Sequence, residues 1–535
     1  MNKLTQEQSK VVSSKKDVIV NSVAGSGKTT TLIEYAKARP KSRILYLAFN
    51  KSVKTEAIEK FAEANVTNVI VETAHSLAYK NIVRKYNYKV RDKYKLSDLL
   101  KDVNVPHNNI SIAIAVHVKK FIAYFCNSKE SSVKKLNYLD IVTDKKAKVF
   151  VKKHYANIEA YTRSILAKMD KAEIEITHDF YLKKFQLSNP ILDYHYILFD
   201  EGQDACPAML DVFLSQNATK VIVGDTHQQI YSWRFAINSL EICKFNTLSL
   251  STSFRFPQPI AELANTILSW KSSIKKYPII KIFGAGSSQE KKTKAILART
   301  GVSLLLKAIK YIDDFPKIYF EGGLNSYIYS ENGASIYDVY SLYNNKHEYI
   351  KDETIRSMKD FNELLTYIES SEDNQLANIA EIVEKYTHHI PDLIRTLKEN
   401  QVEKEEANVV YSTVHRAKGI EYDLVELADD FITEERIKNY IVNKELSVEQ
   451  IIEEVNIFYV AITRAKNVLY IPKKYLPEDF KYCPHIVPIL FKTQNPLVAR
   501  KQVIPIDKSK VKYIPINNDD FYEFGQSKSK NRGRW

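Results

Sequence analysis

The clearest pattern along the chain is a series of short apolar runs bounded by polar or turn-forming residues. They lie at residues 17–22 (DVIVNS), 43–49 (RILYLAF), 194–200 (YHYILFD), 220–225 (KVIVGD), 246–251 (NTLSLS), 295–299 (AILAR), 408–413 (NVVYST) and 467–471 (NVLYI). Runs of this kind predict buried strands. Segments with helical spacing follow the first two runs, over residues 28–38 and from about residue 51. This alternation predicts an α/β fold built on parallel sheets.

Two longer segments interrupt the alternation with helical spacing, at residues 81–190 and between about residues 316 and 404. We therefore predict a first core at 1–80 and 190–244, a second core at 245–315 and 405–475, and helical insertions at 81–189 and 316–404. Run 246–251 is expected to open the strands of the second core. Residues 476–535 form a basic C-terminal extension whose polar end we expect to be disordered.

Charge is distributed unevenly over the 535 residues, whose net charge is +14. Residues 81–190 carry 22 Lys and Arg against 11 Asp and Glu, and residues 471–535 carry 13 against 6. Residues 191–470 are acidic, with 30 basic against 40 acidic side chains. A basic stretch is often only a solvated face, but a block of this size also favours a polyanionic partner.

Composition excludes several classes of protein. Hydrophobic residues make up 44% of the chain, which is typical of a globular protein and not of a disordered one. The four cysteines form no Cys-x-x-Cys pair, so we expect neither a disulfide framework nor a zinc ribbon. The N-terminus has no apolar signal region, and no membrane partner is expected. We expect an intracellular protein of the cytoplasm or nucleoid or, for a viral chain, of the site of genome replication.

Residues 22–29 (SVAGSGKT) follow a predicted strand and precede a predicted helix. Except for Ser22 at the first position, they match the phosphate-binding loop, in which small residues let backbone N–H groups face phosphates. Lys28 would reach the β- and γ-phosphates, and Thr29 would bind Mg²⁺.

Two further predicted strands end in polar residues. Asp200 and Glu201 follow run 194–200, where Asp200 suits a Mg²⁺ site and Glu201 could orient and deprotonate a water. After run 220–225, residues 224–236 (GDTHQQIYSWRFA) bring Gln228, a candidate phosphate sensor, close to Tyr231 and Trp233, which could stack on bases. The alternative for Trp233, which sequence evidence alone leaves open but favours less, is a position in the core.

The order and spacing of these motifs resemble superfamily 1A DNA helicases of the UvrD/Rep type. Six further segments extend the resemblance: 4–8 (LTQEQ), 48–51 (AFNK), 73–76 (TAHS), 253–255 (SFR), 414–422 (VHRAKGIEY) and 459–466 (YVAITRAK). The resemblance covers residues 4–466 and is closest to the F-box DNA helicase branch. No F-box precedes the motifs in this sequence, so ubiquitin-ligase attachment is not carried over.

The resemblance implies two RecA-like P-loop cores, each with a helical insertion, that enclose ATP and Mg²⁺. Catalytic roles fall to Lys28, Glu201, Gln228, Arg255 and Arg464, and metal binding to Thr29 and Asp200. Nucleotide contacts fall to Gln8, Ala24, Gly25, Ser26, Gly27, Lys28, Thr29, Thr30, Phe254, Arg255, Glu421 and Arg464. DNA contacts fall to Phe49, Asn50, Thr73, His75, Tyr231, Trp233, Arg234, His415 and Lys418.

The resemblance further implies a helicase or translocase that moves 3′→5′ on single-stranded DNA and acts at single–double strand junctions in repair, recombination or replication. An ATPase that mainly removes proteins such as recombinase filaments from DNA uses the same residues, and RNA is an alternative strand. The intact motifs disfavour a binding protein with a degenerate ATP site. We expect a monomer, with replication or recombination proteins as partners of 316–404 or the C-terminal extension.

Overall fold

The computed structural model describes residues 4–103, 105, 108–274, 279–330, 332–443 and 445–489. Most of the predicted C-terminal extension, from residue 490 onward, lies outside the described residues. The segment at its end that we predicted to be disordered also lies outside them.

The first sheet has six strands, all parallel, in the order β3-β2-β4-β5-β1-β6. Their bounds are β1 (Val18–Ser22), β2 (Ile44–Ala48), β3 (Val69–Thr73), β4 (Tyr196–Phe199), β5 (Thr219–Gly224) and β6 (Asn246–Leu250). Aliphatic side chains on the central strands, such as Val20, Leu198 and Val221, are buried in one core cluster. Burial of these runs stabilises the sheet by about 25 cal/mol per Å² of apolar surface.

Strand β6 corrects the predicted division of the chain. We expected residues 246–251 to open the strands of the second core, but β6 pairs with β1 in the first sheet, with Val18 opposite Asn246. The local pattern identifies a strand, but the partner of a parallel strand depends on tertiary packing.

The second sheet also has six strands, all parallel, in the order β10-β11-β9-β12-β13-β14. A short parallel pair, β7 (Thr252–Ser253) and β8 (Phe283–Gly284), precedes it along the chain. The strands of the second sheet are β9 (Lys294–Ala298), β10 (Ile318–Phe320), β11 (Val409–Thr413), β12 (Tyr422–Leu427), β13 (Ala465–Pro472) and β14 (Ile486–Ile489). Strand β10 lies within the segment that we predicted as a helical insertion. Two parallel sheets of this kind confirm the predicted fold class of two RecA-like cores.

Helices of the first half of the described chain are α1 (Gln6–Ser13), α2 (Lys28–Lys37), α3 (Lys51–Glu63), α4 (Ala74–Ala78), α5 (Arg84–Tyr86), α6 (Leu96–Asp102), α7 (Asn109–Asn127), α8 (Lys145–Asp170), α9 (His178–Leu187), α10 (Pro207–Leu214) and α11 (Ser239–Ile242). A π-helical turn, Tyr79–Val83, joins α4 to α5. Helices α1 and α3 pack on the first sheet, and α5 to α9 form the first insertion.

Helices of the second half are α12 (Gln258–Ser269), α13 (Gly301–Tyr311), α14 (Asn325–Ile328), α15 (Ile336–Tyr343), α16 (Glu353–Arg356), α17 (Phe361–Ser371), α18 (Asn374–Tyr386), α19 (Ile390–Glu399), α20 (Val414–Ala417), α21 (Glu434–Asn443) and α22 (Val448–Ile462). Helices α13 and α20 pack on the second sheet, whereas α14 to α19 form the second insertion.

The two insertions contact each other through polar groups. A His117 ring nitrogen lies 2.8 Å from the carbonyl oxygen of Ser370, and Lys120 donates to the carbonyl of Ser371. Among the described helices, α7 alone is long and apolar enough to cross a membrane, and about two-thirds of it is buried within the protein.

Candidate ATP-binding and DNA-binding sites

The predicted phosphate-binding loop runs from the end of β1 to the start of α2. Gly25 and Gly27 adopt left-handed backbone conformations with φ of 73° and 78°. A side chain at Gly25 would meet Cβ of Arg255 at 2.5 Å, so glycine is required there. Ser22, which departs from the usual loop pattern, donates a 2.9 Å hydrogen bond to the carbonyl of Gly224. Ser22 thus anchors the start of the loop to the neighbouring strand.

Lys28 and Glu201 form an ion pair across the end of the first sheet, with Nζ 2.7 Å from Oε1. Burial lowers the pKa of Lys28, but the charges of Glu201 and Asp200 raise it more, so the pKa lies above its ordinary value. Burial raises the pKa of Glu201, but Lys28 and Lys418 lower it more, so that pKa is depressed. Glu201 is therefore ionised at neutral pH, as a general base must be.

Asp200 is held at the end of β4, 3% exposed. The Tyr46 hydroxyl on the adjacent strand β2 donates a hydrogen bond to its carboxylate. Burial and the neighbouring charge of Glu201 raise the pKa of Asp200. A buried carboxylate with a raised pKa is favourable for a divalent cation, because a cation would relieve the unfavourable charge. The next residue, Glu201, has φ of 52°, a strained conformation of the kind that clusters at functional sites.

Gln8 and Phe254 border the loop. The Thr5 side chain caps α1 in a capping box with Gln8, and the Gln8 amide donates to the carbonyl of Ser26 at 3.3 Å. The backbone N–H of Phe254 donates to the carbonyl of Gly25, and the Phe254 ring is 50% exposed. An exposed ring beside the phosphate loop can accept a stacked base.

Two arginines reach the same cleft. Arg255 pairs with Glu421 at 2.6 Å and donates to the carbonyl of Thr463 at 3.0 Å. Arg464 is 1% exposed and donates to the carbonyls of Val460 and Ile420, but forms no ion pair with a described carboxylate. Burial, together with the charge of Arg255, lowers the pKa of Arg464 to about 9. A buried guanidinium that forms no direct ion pair can stabilise the negative charge of a transferring phosphoryl group.

The loop after β5 carries Gln228, whose amide donates to Asp225 at 2.8 Å. The Tyr459 hydroxyl on α22 donates to the same carboxylate at 2.9 Å and accepts the N–H of Ala24 at 3.3 Å. Sequence reasoning missed Tyr46, Asp225 and Tyr459. Asp225 and Tyr459 stand inside motif segments, but their contacts link distant parts of the chain.

These residues fit a nucleoside triphosphate and a divalent cation. The hydroxyl of Ser26 in the loop is buried and makes no hydrogen bond, so it is available to a ligand. Thr29 is half-buried in the first turn of α2, and Thr30 is exposed. No described group of three or more His, Cys, Asp or Glu side chains forms a metal cluster. Mg²⁺ needs no such cluster, because it is held by one or two side chains together with phosphate oxygens and water.

Aromatic residues predicted to bind DNA form a group beside this cleft. The Phe49 and Tyr231 rings are nearly parallel, at 11°, with centroids 6.0 Å apart. Trp233 packs edge-on against Tyr231 and is 59% exposed, which excludes its interpretation as a core residue. The Arg234 guanidinium lies 4.8 Å from the Trp233 ring centroid. An exposed ring beside a cation, with further rings next to it, is typical of a single-strand binding surface.

The other predicted DNA residues differ in their surroundings. Asn50 and Thr73 cap α3 and α4 with their side chains. His415 is half-buried, and its carbonyl accepts the Tyr231 hydroxyl. Lys418 is not on an open surface: it pairs with buried Asp204 and donates to the carbonyl of Gln228 at 2.6 Å.

His75 lies at the start of α4, in edge contact with the Tyr181 ring at 6.0 Å. Burial lowers its pKa, Asp179 opposes that shift, and the nearby charges of His178 and Arg234 add to it. The roles given to all these residues stay predictions.

Known proteins resemble the chain over most of its length. Residues 46–474 match the family described as "UvrD-like helicase C-terminal domain". The chain is 30% identical over 511 residues to "F-box DNA helicase 1" of Gallus gallus, covering 87% of this chain and 49% of that protein. It is 28% identical over 520 residues to "F-box DNA helicase protein 1" of Schizosaccharomyces pombe, covering 87% and 57%.

A shorter match, 25% identical over 302 residues, is to "Probable DNA helicase II homolog" of Mycoplasma genitalium and covers 50% of this chain and 42% of that protein. The chain thus spans about half the length of the curated relatives it matches.

Proposed function

The chain belongs to the UvrD-like helicases, and from this premise we propose that it is an ATP-driven translocase and helicase. It moves on single-stranded DNA in the 3′→5′ direction and opens duplexes at single–double strand junctions. ATP and Mg²⁺ are its cofactors. Repair, recombination or replication of DNA is the process that it serves.

The observation that carries the proposal is that one short loop joins the two candidate sites. Gln228 in this loop donates to Asp225 at the candidate ATP site, and Tyr231, three residues later, belongs to the aromatic group. Lys418 from the second core contacts both, since it donates to the Gln228 carbonyl and lies 4.8 Å from the Tyr231 ring centroid. Binding or hydrolysis of the nucleotide can therefore alter the affinity for the DNA strand through this series of direct contacts.

Residues from both cores meet at the cleft. Lys28 and Glu201 come from the first core, whereas Arg464 comes from the second. Thr29 and Asp200 would hold Mg²⁺, which would supply positive charge to offset the negative charge of the triphosphate. Glu201 orients and deprotonates the attacking water, and the two arginines stabilise the charge that develops. Hydrolysis then depends on how the cores are arranged, which links it to movement.

The test compares ATP turnover by the purified chain with no nucleic acid, with single-stranded DNA and with single-stranded RNA, followed by unwinding of 3′- and 5′-tailed duplexes. We expect DNA to stimulate turnover most and the 3′-tailed duplex to be opened. Turnover that no strand stimulates would overturn the proposal. Stimulated turnover with removal of a bound protein but no strand separation would favour a protein-displacing ATPase instead.

A further inference from the structure

A group of exposed tyrosines and cations lies where the first core passes into its insertion. Tyr79 and Tyr86 are 38% and 54% exposed, at the two ends of the segment formed by the π-helical turn and α5. Between them Ile82 and Val83 are buried and fix the segment to the protein. Single π-helical turns of this kind occur often at functional sites.

Cations lie beside both rings. The Arg84 guanidinium lies 6.0 Å from the Tyr79 ring centroid, and Lys85 Nζ lies 5.5 Å from that of Tyr86. Lys184 on α9 approaches Tyr86 at 5.7 Å while pairing with Asp170. Residues 79–89 include four basic side chains and no acidic one. We call Tyr79, Arg84, Lys85, Tyr86 and Lys184 the tyrosine patch.

The tyrosine patch adjoins the candidate DNA site through a buried ring. Tyr181 is 3% exposed, and its ring centroid lies 6.0 Å from that of His75 and 5.9 Å from that of Tyr79, both edge-on. His75 in turn lies within the electrostatic reach of Arg234, whose guanidinium stacks on Trp233. Buried Tyr181 therefore connects His75, a predicted DNA residue, to Tyr79 in the tyrosine patch.

We propose that the tyrosine patch is a second single-strand binding site, which holds the nucleotides that extend past His75 onto the first insertion. The inference rests on the proposed function, because it takes a DNA strand at His75 as its starting point. Tyr79 and Tyr86 stack on bases, and Arg84 and Lys85 face the phosphates. Stacking platforms beside cations bind strands without sequence preference, so the occupant is single-stranded nucleic acid of any sequence.

The alternative is that these tyrosines only cover the insertion. If the tyrosines only cover the insertion, replacing them should change the free energy of unfolding and leave the affinity for single-stranded DNA unaltered. If Tyr86 belongs to a second binding site, replacing it should lower the affinity for single-stranded DNA and leave the free energy of unfolding nearly unaltered. A half-exposed ring contributes little to the stability of the fold but can contribute much to stacking on a base.

The experiment measures binding of the full chain to fluorescent oligo(dT) of increasing length by anisotropy. In the unaltered protein, affinity should rise again once the oligonucleotide outgrows the Phe49–Tyr231 site. Tyr86→Ala should lose about tenfold or more of this added affinity, and Tyr86→Phe, which keeps the ring, should retain it. Tyr482→Ala is the matched control, since Tyr482 is 78% exposed and lies between β13 and β14 of the second sheet.

A second readout separates charge from stacking. Arg84→Gln together with Lys85→Gln should reduce the salt slope of binding to the long oligonucleotide by about 0.7 for each phosphate that the variant no longer neutralises. The short oligonucleotide should show no such change. A Tyr86→Ala variant that binds the long oligonucleotide as tightly as the unaltered protein would overturn the inference. If instead the unaltered protein binds no oligonucleotide of any length, the proposed function itself fails.

Discussion

Glu201 is the residue on which the proposed hydrolysis depends most directly. Glu201→Gln keeps the shape and the hydrogen bond to Lys28 but cannot take a proton, so DNA-stimulated turnover should fall by about 10²- to 10⁴-fold. Nucleotide binding, measured with a fluorescent ATP analogue, should persist. Glu59→Gln, on the exposed face of α3, is the matched control. Retained turnover in the Glu201 variant would refute its role.

Replacing Trp233 tests whether the aromatic group binds the DNA strand or only stabilises the fold. Because Trp233 is 59% exposed, Trp233→Ala should change the free energy of unfolding by less than about 0.5 kcal/mol. It should increase the ATP consumed per base pair opened while leaving the KM for ATP unaltered. Trp233→Phe should restore most of the coupling. Weakened ATP binding with normal coupling would contradict the assignment.

At the scale of elements, α22 connects the second core to the loop after β5. Asn456 donates to the carbonyl of Gln229, and Glu453 accepts the N–H of Ser232. Tyr459, one turn further, reaches the Asp225 carboxylate and the Ala24 N–H. One face of this helix therefore touches both the phosphate loop and the segment that leads to the aromatic group.

Tyr459→Phe removes the hydroxyl that makes these two cross-core bonds. We expect a decrease of about 1–3 kcal/mol in the free energy of unfolding, because the Ala24 N–H and the Asp225 carboxylate are each left without this partner. DNA-stimulated turnover should also fall. Tyr475→Phe is the control, since the Tyr475 hydroxyl bonds both N–H and carbonyl of Phe431 within the second core. Equal turnover in the two variants would show that Tyr459 is only structural.

Strands could be predicted from sequence where apolar runs are buried and uninterrupted, as in β2 and β5. Buried β12 was not predicted, because Asp423 and Glu426 interrupt its apolar pattern. Strand β3 was missed because it is an edge strand whose first residues, Val69 and Ile70, stay partly or fully exposed. The sheet to which β6 belongs could not be predicted, since strand partners depend on distant segments. Lys28, Asp200 and Glu201 could be predicted to lie close together, because each follows the carboxyl end of a parallel strand. The ion pair between Lys418 and Asp204 could not be predicted, because it joins distant segments.

For the whole molecule, the basic first insertion predicts strongly electrostatic binding. The affinity for single-stranded DNA should fall with salt at a slope of about −0.7 per neutralised phosphate. Lys148→Gln with Lys152→Gln, exposed one turn apart on α8, should make the slope shallower. Lys438→Gln in the acidic part of the chain should not. An affinity that does not change with salt would contradict this expectation.

ATP hydrolysis in the cleft is proposed to move the protein along one strand. The most direct test is stopped-flow detection of arrival at a fluorophore on single strands of increasing length, started by adding ATP. With the fluorophore at the 5′ end, the lag before the signal should grow linearly with strand length, and Glu201→Gln should abolish the signal. A lag that does not depend on length would contradict the claim.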